Sequence, residues 1–482
     1  MERRIFPRSL AIIIATFAIV WTLTLWQWRA SHRVPNEIDI ALYLLVLPLA
    51  LVLSYRLLRA VIDGGKRLAQ RQTEAAPAAT DLVNPETPAP AMTRRDIAIL
   101  GAYVLFSSGD QLPLLIDAAR EKRRAGLCPR WRDDSGAQVF TAPVNTLDLA
   151  AFDPSLPEAL CRWAEADRRT LWLAEAAASH TLNDAEALRY TSPPPGTSPA
   201  TQSPQADAVL QLEWLLPARW RSEQLQPAQS WLTERLESSG WPASALRITA
   251  TIIDDELTIW RRLEALGADF EINPQQPPRL LLASDSQLDD AHLHRWQIDQ
   301  QLHGARQPEG RVPGEGASAV WLGAPRSQPQ ASTLAILHAP VFGQLTRAPS
   351  ASGRVQNDVV RSMLEQAWAQ APTLLATSAA HLVSDTDVRP SRYAEALQIA
   401  EYAAPDHDAD TALLPLACAN GDCGAALTLA TVAAAAWQAA ETQDHCVLLS
   451  HRAPLARVIA LVTPPPDSEP VPDTQGAPSL LG

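Results

Sequence analysis

Two stretches near the N-terminus carry no charged residue: Leu10 to Trp28, LAIIIATFAIVWTLTLWQW, and Ile40 to Tyr55, IALYLLVLPLALVLSY. A hydrocarbon core of about 30 Å takes about 20 apolar residues in a helix. The first stretch meets that length, and the second meets it when Leu57, Leu58 and a snorkelling Arg56 are counted. The pattern predicts a transmembrane hairpin over residues 1–71, with spans at about 10–28 and 40–58. Arg3, Arg4 and Arg8 precede the first span, and Arg56, Arg59, Lys66, Arg67 and Arg71 follow the second, while the connecting loop holds only Arg29 and Arg33. The positive-inside rule then places both termini in the cytoplasm. A cleaved signal peptide is disfavoured, because no small-residue cleavage motif is evident and a second apolar stretch follows at once.

Beyond the hairpin the pattern changes. Residues 72–93 are Ala- and Pro-rich without periodicity and read as a flexible linker, Thr191 to Ala206 as a disordered surface loop, and 463–482 as a disordered tail. Between them, over 94–462, short apolar runs alternate with helical patterns, which predicts an α/β domain around a buried sheet. IAILGAYVLF, AVLQLEWLL, ALRITATII, RLLLAS, SAVWLG, TLAILHAP and VIALV read as strands, and NGDCGAALTLATVAAAAWQAAE as a long Ala-rich helix. In DELTIWRRLEALG the residues Leu257, Trp260, Leu263 and Leu266 share one helical face, and Gly267 reads as the residue that closes the helix.

The net charge is −13 and no basic stripe occurs in the soluble part, which excludes a nucleic-acid surface. Five cysteines (Cys128, Cys161, Cys418, Cys423, Cys446) are too sparse for a disulfide framework and read as reduced thiols. No metal or cofactor is expected: Cys418 and Cys423 lack further ligands at zinc spacing, His292 and His294 read as a solvated turn, and His407 lies on a loop among aspartates. Gly314 and Gly316 flank Glu315, but they lead into a strand rather than a helix, so a close backbone turn is expected instead of a phosphate cradle. Of the 15 tryptophans, Trp131, Trp163, Trp172, Trp214, Trp220, Trp231, Trp241 and Trp296 fit either a core or a partner-binding patch.

The order of elements resembles the thiolase-like superfamily, in particular its β-ketoacyl synthase branch. Four segments carry the resemblance. PGEGASAVWL (313–322) is similar to the Gly-Glu-Gly-Ala segment between the two ketosynthase halves, and LLLASDS (280–286) to the strand before it. SDTDVRPSRYAEAL (384–397) stands where a His-Gly-Thr-Gly-Thr loop occurs, and NGDCGAALTLA (420–430) where a Thr-Gly-His helix start occurs. The resemblance implies a layered fold of two related βα halves and a two-fold homodimer. It also implies a nucleophilic cysteine and two histidines, and these positions are vacated: Ile253, Asp254 and Asp255 stand near the nucleophile's place, Asp385 in the first histidine loop with His381 nearby, and Asp422 at the second histidine. Asp254 and Asp255 have an ordinary role as helix caps. The expectation is therefore a catalytically inactive scaffold or adaptor on the bacterial inner membrane, with a protein partner. Similar proteins accompany type VI secretion loci, which points to an accessory factor of effector loading. The alternative is an acyl-thioester-handling enzyme whose nucleophile is Cys423, activated at a helix N-terminus.

Overall fold

The computed structural model describes residues 95–190, 209–241, 246–325, 333–351, 357–371 and 379–465. The expected spans, the linker, the loop over 191–206 and the tail beyond 465 lie outside the described residues. The chain divides into two compact units, 1–91 and 92–482, and the second is described here. Among the described residues no helix is long and apolar enough to cross a membrane.

Thirteen strands occur among the described residues: β1 (Ile97–Phe106), β2 (Gly126–Arg132), β3 (Gln138–Thr141), β4 (Leu210–Pro217), β5 (Leu246–Ile253), β6 (Arg279–Ser286), β7 (Glu315–Gly323), β8 (Ala335–Leu337), β9 (Val341–Gln344), β10 (His381–Ser384), β11 (Leu413–Pro415), β12 (Cys446–Ser450) and β13 (Ala456–Thr463). The longer helices are α1 (Leu112–Arg120), α2 (Glu165–Tyr190), α3 (Ser222–Ser238), α4 (Thr258–Ile272), α5 (Asp290–Ile298), α6 (Asn357–Ala369), α7 (Pro390–Ala403) and α8 (Gly424–Thr442).

One sheet runs β5-β4-β6-β7-β1-β8-β13-β12-β10-β11, with β9 beside β13, and β2 and β3 form a separate hairpin. The order is a repeat. In the first half β4 lies parallel to both β5 and β6, and β6, β7 and β1 follow antiparallel. In the second half β10 lies parallel to β11 and β12, and β12, β13 and β8 follow antiparallel. The β1–β8 pair joins the halves. Parallel neighbours require crossover helices, and these are α3 and α4 in the first half and α7 and α8 in the second.

The strands are buried on both faces, so they read as continuous apolar runs whose alternate residues serve different layers. On β6, Leu281 and Ala283 face an inner core while Leu280 and Leu282 face an outer one; on β12, Cys446 and Leu448 face inward and Val447 and Leu449 outward. Helices α2 and α3 cover the outer face of the first half, and α6 and α7 that of the second. The inner core holds α8, which packs on β6, β7 and β1 and also on β12, β13 and β8. A helix buried all round has no polar stripe, and α8 is buried from Ala425 through Ala436. Its alanines keep it narrow, which lets two sheet layers close on one helix.

The tryptophans serve the core. Trp131, Trp214, Trp220, Trp231, Trp241 and Trp296 are buried, and Trp163 and Trp172 pack partly buried against the outer core of the first half. Gly267 requires a correction, because α4 does not end there but continues to Ile272. The reason for glycine is contact: a Cβ at 267 would lie 2.4 Å from the Arg95 carbonyl oxygen. The turn at Gly314 brings the halves together as its neighbours in sequence implied. Its N–H donates to the Asp422 carbonyl at 3.2 Å, and a Cβ there would lie 2.2 Å from the Asn420 carbonyl oxygen and 2.9 Å from Cys423 Sγ.

Gly314→Ala is therefore expected to cost about 1–3 kcal/mol by overpacking, read as a lowered Tm in thermal unfolding. Gly126→Ala, with open space around its Cβ position, serves as the control and leaves Tm near that of the parent. Equal Tm values for the two variants would contradict the close approach of the halves.

Candidate functional site

The two middle-layer helices start at equivalent places in the repeat, each after the outermost strand of its half: α4 after β5 and α8 after β11. Their N-termini face one cleft of about 220 Å³, lined by Ile253, Asp254, Asp255, Asp285, Gly424 and Arg452 among others. The structure thus brings together the expected nucleophile position and the start of the helix that carries Asp422. No cysteine lines this cleft.

Asp255 caps α4: its Oδ1 accepts from Leu257 N at 2.9 Å, Thr258 N at 2.7 Å and Thr258 Oγ1 at 2.8 Å. These hydrogen bonds to the charged form, Thr258 foremost, hold its carboxyl below the usual range. Trp260, one turn into α4, is wholly buried and belongs to the inner core with Ile253, Ile259 and Leu263.

Asp422 immediately precedes the N-cap of α8, where the helix dipole favours a negative charge. Its Oδ1 accepts from Arg452 Nη2 at 2.6 Å and from Gly424 N at 3.2 Å, and its Oδ2 accepts from Arg311 Nη1 at 2.7 Å. Burial by itself would raise this carboxyl, but Arg452 and Arg311 outweigh it and hold the group well below the carboxylate range. Arg452 also donates to the Gly424 carbonyl at 2.7 Å, and Arg311 stacks over the Trp296 ring at 4.8 Å. On the opposite wall Asp285 is paired with Arg219 and accepts from Gln287 Nε2 at 2.8 Å. A Cβ at Gly424 would lie 2.3 Å from Asp285 Oδ2, so only glycine lets α8 start against this carboxylate.

Asp385 does not line the cleft. It lies behind Arg452, whose guanidinium it helps keep charged, and its oxygens are engaged by Ser450 Oγ at 2.6 Å and His451 N at 2.9 Å. His451 bridges Thr386 Oγ1 (2.8 Å from Nε2) and Glu395 Oε2 (3.1 Å from Nδ1). Glu395 in turn takes both Arg457 Nε at 2.7 Å and Arg457 Nη2 at 3.0 Å. Burial pushes Glu395 up, but His451 and Arg457 prevail and bring it down to about 2. His381 starts β10, whereas the 385–387 loop follows that strand's other end.

Cys423 is wholly buried. Its Sγ donates to the Asn420 carbonyl at 3.0 Å, and burial, with Asp422, Asp285 and Glu315 nearby, pushes the thiol well above its ordinary value. The carboxylate next to it in sequence opposes the helix dipole, so the geometry encloses the thiol and disfavours its thiolate form. Cys418 is likewise pushed up to about 12 by burial. Glu315 of the glycine turn is wholly buried in a two-pronged pair with Arg169 (Nη2 2.6 Å, Nε 2.7 Å) and also takes Val144 N and Ser286 Oγ, each at 2.8 Å. It is a structural tie between α2 and the inter-half turn. His292 bonds the α5 cap Asp289 at 2.7 Å, His294 bonds Asp134 at 3.0 Å, and among the described residues no three metal-ligating side chains converge. The arginines Arg219, Arg311, Arg452 and Arg457 had no motif to single them out; for Arg452 and Arg457 the one signal was a basic residue beside an apolar run, in LLSHRAPLARVIALV.

Linkage from Glu395 gives a pH dependence. The folded-state value is depressed, so its contribution is complete above the unfolded value of ~4.3 and is lost as the pH falls towards 2. Stability is expected to hold level from about pH 7 to 5 and to fall below that. Glu395→Gln is expected to cost about 3–5 kcal/mol at neutral pH by leaving Arg457 unpaired and to flatten the acid limb in denaturant unfolding. An acid limb as steep as the parent's would contradict the assignment.

No protein-family model matches the sequence, and no curated protein matches it significantly. Solved structures do match. A complex titled as a type II PKS acyl-carrier protein with its ketosynthase bound to the hexaketide superposes with a TM-score of 0.51 at 10% identity, covering 77% of this chain and all (100%) of that chain. The ishigamide ketosynthase/chain length factor gives 0.49 at 13% identity over 76% of this chain and 99% of that one, and the ketosynthase from module 6 of the Bacillus subtilis bacillaene synthase gives 0.48 at 13% identity over 76% and 72%. At such identities the likeness is one of fold. The superposition at 0.51, together with the repeated sheet order, shows that the folded part of the chain has a thiolase-like, ketosynthase-like α/β fold.

Proposed function

We propose that the chain is a membrane-tethered, non-catalytic scaffold on a ketosynthase-like fold, used to hold a protein partner at the membrane. The observation that carries the reading is the engagement of the residues at and behind the cleft. Where the resemblance expects a nucleophile and two histidines, there stand Ile253 with Asp254, Asp385, and Asp422, and both oxygens of Asp385 and of Asp422 are engaged by protein donors. Condensation needs a thiolate beside groups that stabilise developing negative charge. The thiol near this cleft, Cys423, is enclosed and hydrogen-bonded to the Asn420 carbonyl, and burial pushes it upward, away from the thiolate form, which removes support from its use as an atypical nucleophile. Carboxylates with no hydrogen to spare repel an enolate rather than stabilise it. What remains is binding and location, and the apolar spans at 10–28 and 40–58, the second reaching full length only with a snorkelling Arg56, together with the flanking arginines, support a membrane location.

The test joins alkaline carbonate extraction to in-cell crosslinking of the full chain. The full chain is expected in the membrane pellet, deletion of residues 1–71 is expected to release it, and crosslinked material is expected to hold a stoichiometric protein partner. A type VI secretion component is the partner class that the resemblance implies. A full chain found in the alkaline supernatant, or recovered free of any stoichiometric partner, would contradict the proposal.

A further inference from the structure

A second cleft, of about 390 Å³, lies beside the carboxyl end of β1 and stands apart from the one above. Lys122 adopts a left-handed conformation (φ 53°) just after α1, which turns the chain so that Arg123 and Arg124 come to the cleft's wall before β2 begins. Lys122 anchors that turn by donating to the Asp410 and Leu413 carbonyls, each at 2.5 Å. The polar lining is Ser107, Ser108, Arg123, Arg124, Thr141 and Asn145, and no carboxylate lines it, in a chain whose net charge is −13.

Two features of this wall call for an occupant. Thr141 is 3% exposed, lines the cleft, and its Oγ1 has no partner among the described residues; Ser108 Oγ likewise has none. An unsatisfied buried hydroxyl is costly, on the order of 1–3 kcal/mol. Ser107 does not share the deficit, because its hydroxyl donates to the Ala419 carbonyl at 2.9 Å. Arg124 is exposed and makes no ion pair among the described residues, whereas Arg123 donates to Glu121 Oε2 at 2.6 Å. The unpaired Arg124 guanidinium, two unpartnered hydroxyls and the Asn145 amide line one wall with more donors than the two oxygens of a carboxylate use, and they suit a tetrahedral oxyanion. Ala118, Leu127 and Pro143 add an apolar surface next to them.

We propose that this cleft binds a small phosphate monoester with an apolar body, the phosphate meeting Arg124, Thr141 and Ser108. The inference is independent of the scaffold reading. Isothermal titration of the detergent-solubilised full chain with butyl phosphate is the test, with inorganic phosphate and butyrate as comparison probes at matched ionic strength. Saturable binding of butyl phosphate is expected, about tenfold or more tighter than butyrate and tighter than inorganic phosphate. Arg124→Ala is expected to weaken butyl phosphate about tenfold and Thr141→Val severalfold, while Arg221→Ala, on an exposed arginine paired with Glu223, leaves it unchanged. Both site variants should retain the parent's Tm. No saturable binding at millimolar butyl phosphate, equal affinity for butyrate, or an Arg124→Ala chain that binds as the parent does would overturn the proposal.

Discussion

The start of α8 is the place on which the rest of the domain depends. A helix buried from its second residue between the two halves of the sheet leaves its first N–H groups without water, and they need partners. Asp422 and Gly424 provide the local answer, and Arg311 and Arg452 neutralise the charge thereby introduced. The arginines come from different parts of the repeat, one before the inter-half turn and one after β12, so a single carboxylate pins the halves to their shared helix. Buried ion pairs of this kind are poor sources of net stability, since desolvation consumes much of the attraction, but removing one partner is expensive. The lattice therefore fixes geometry more than it adds to stability.

The same logic extends outward. Asp385 stands behind Arg452, His451 links Thr386 to Glu395, and Arg457 closes on Glu395. On the first half, Arg219 with Asp285 and Arg169 with Glu315 do equivalent work. An acidic chain thus keeps arginines such as Arg169, Arg219, Arg452 and Arg457 inside, each with a carboxylate, and an Arg124 without an ion pair among the described residues stands out against that background.

Much of the fold was legible because apolar runs bounded by turns are unambiguous when strands are buried on both faces. β1 was delimited by its own ten-residue run IAILGAYVLF, and α8 by its alanines. Gly267 misled because a glycine demanded by a tertiary contact with Arg95 is indistinguishable in sequence from a helix terminator. The expected role of Asp255 as a cap agrees with its bonds to Leu257 and Thr258, since capping is local. The ion-pair lattice was not legible: Asp422 and Arg311 are 111 residues apart, and nothing local in either segment names the other. β10 and the 385–387 loop illustrate the same limit, since the loop was located by order along the chain but the engagement of both Asp385 oxygens depends on β12 and the residue after it.

We propose that this ketosynthase-like fold carries a closed lattice of carboxylates and arginines where a condensing site would be expected. The most direct test is intact-mass analysis of the detergent-purified full chain after incubation with acyl and malonyl thioesters, followed by peptide mapping. The account predicts an unchanged mass and no thioester decarboxylation above background. A specific acyl adduct, at Cys423 or any residue lining the cleft at the start of α4 and α8, would contradict it.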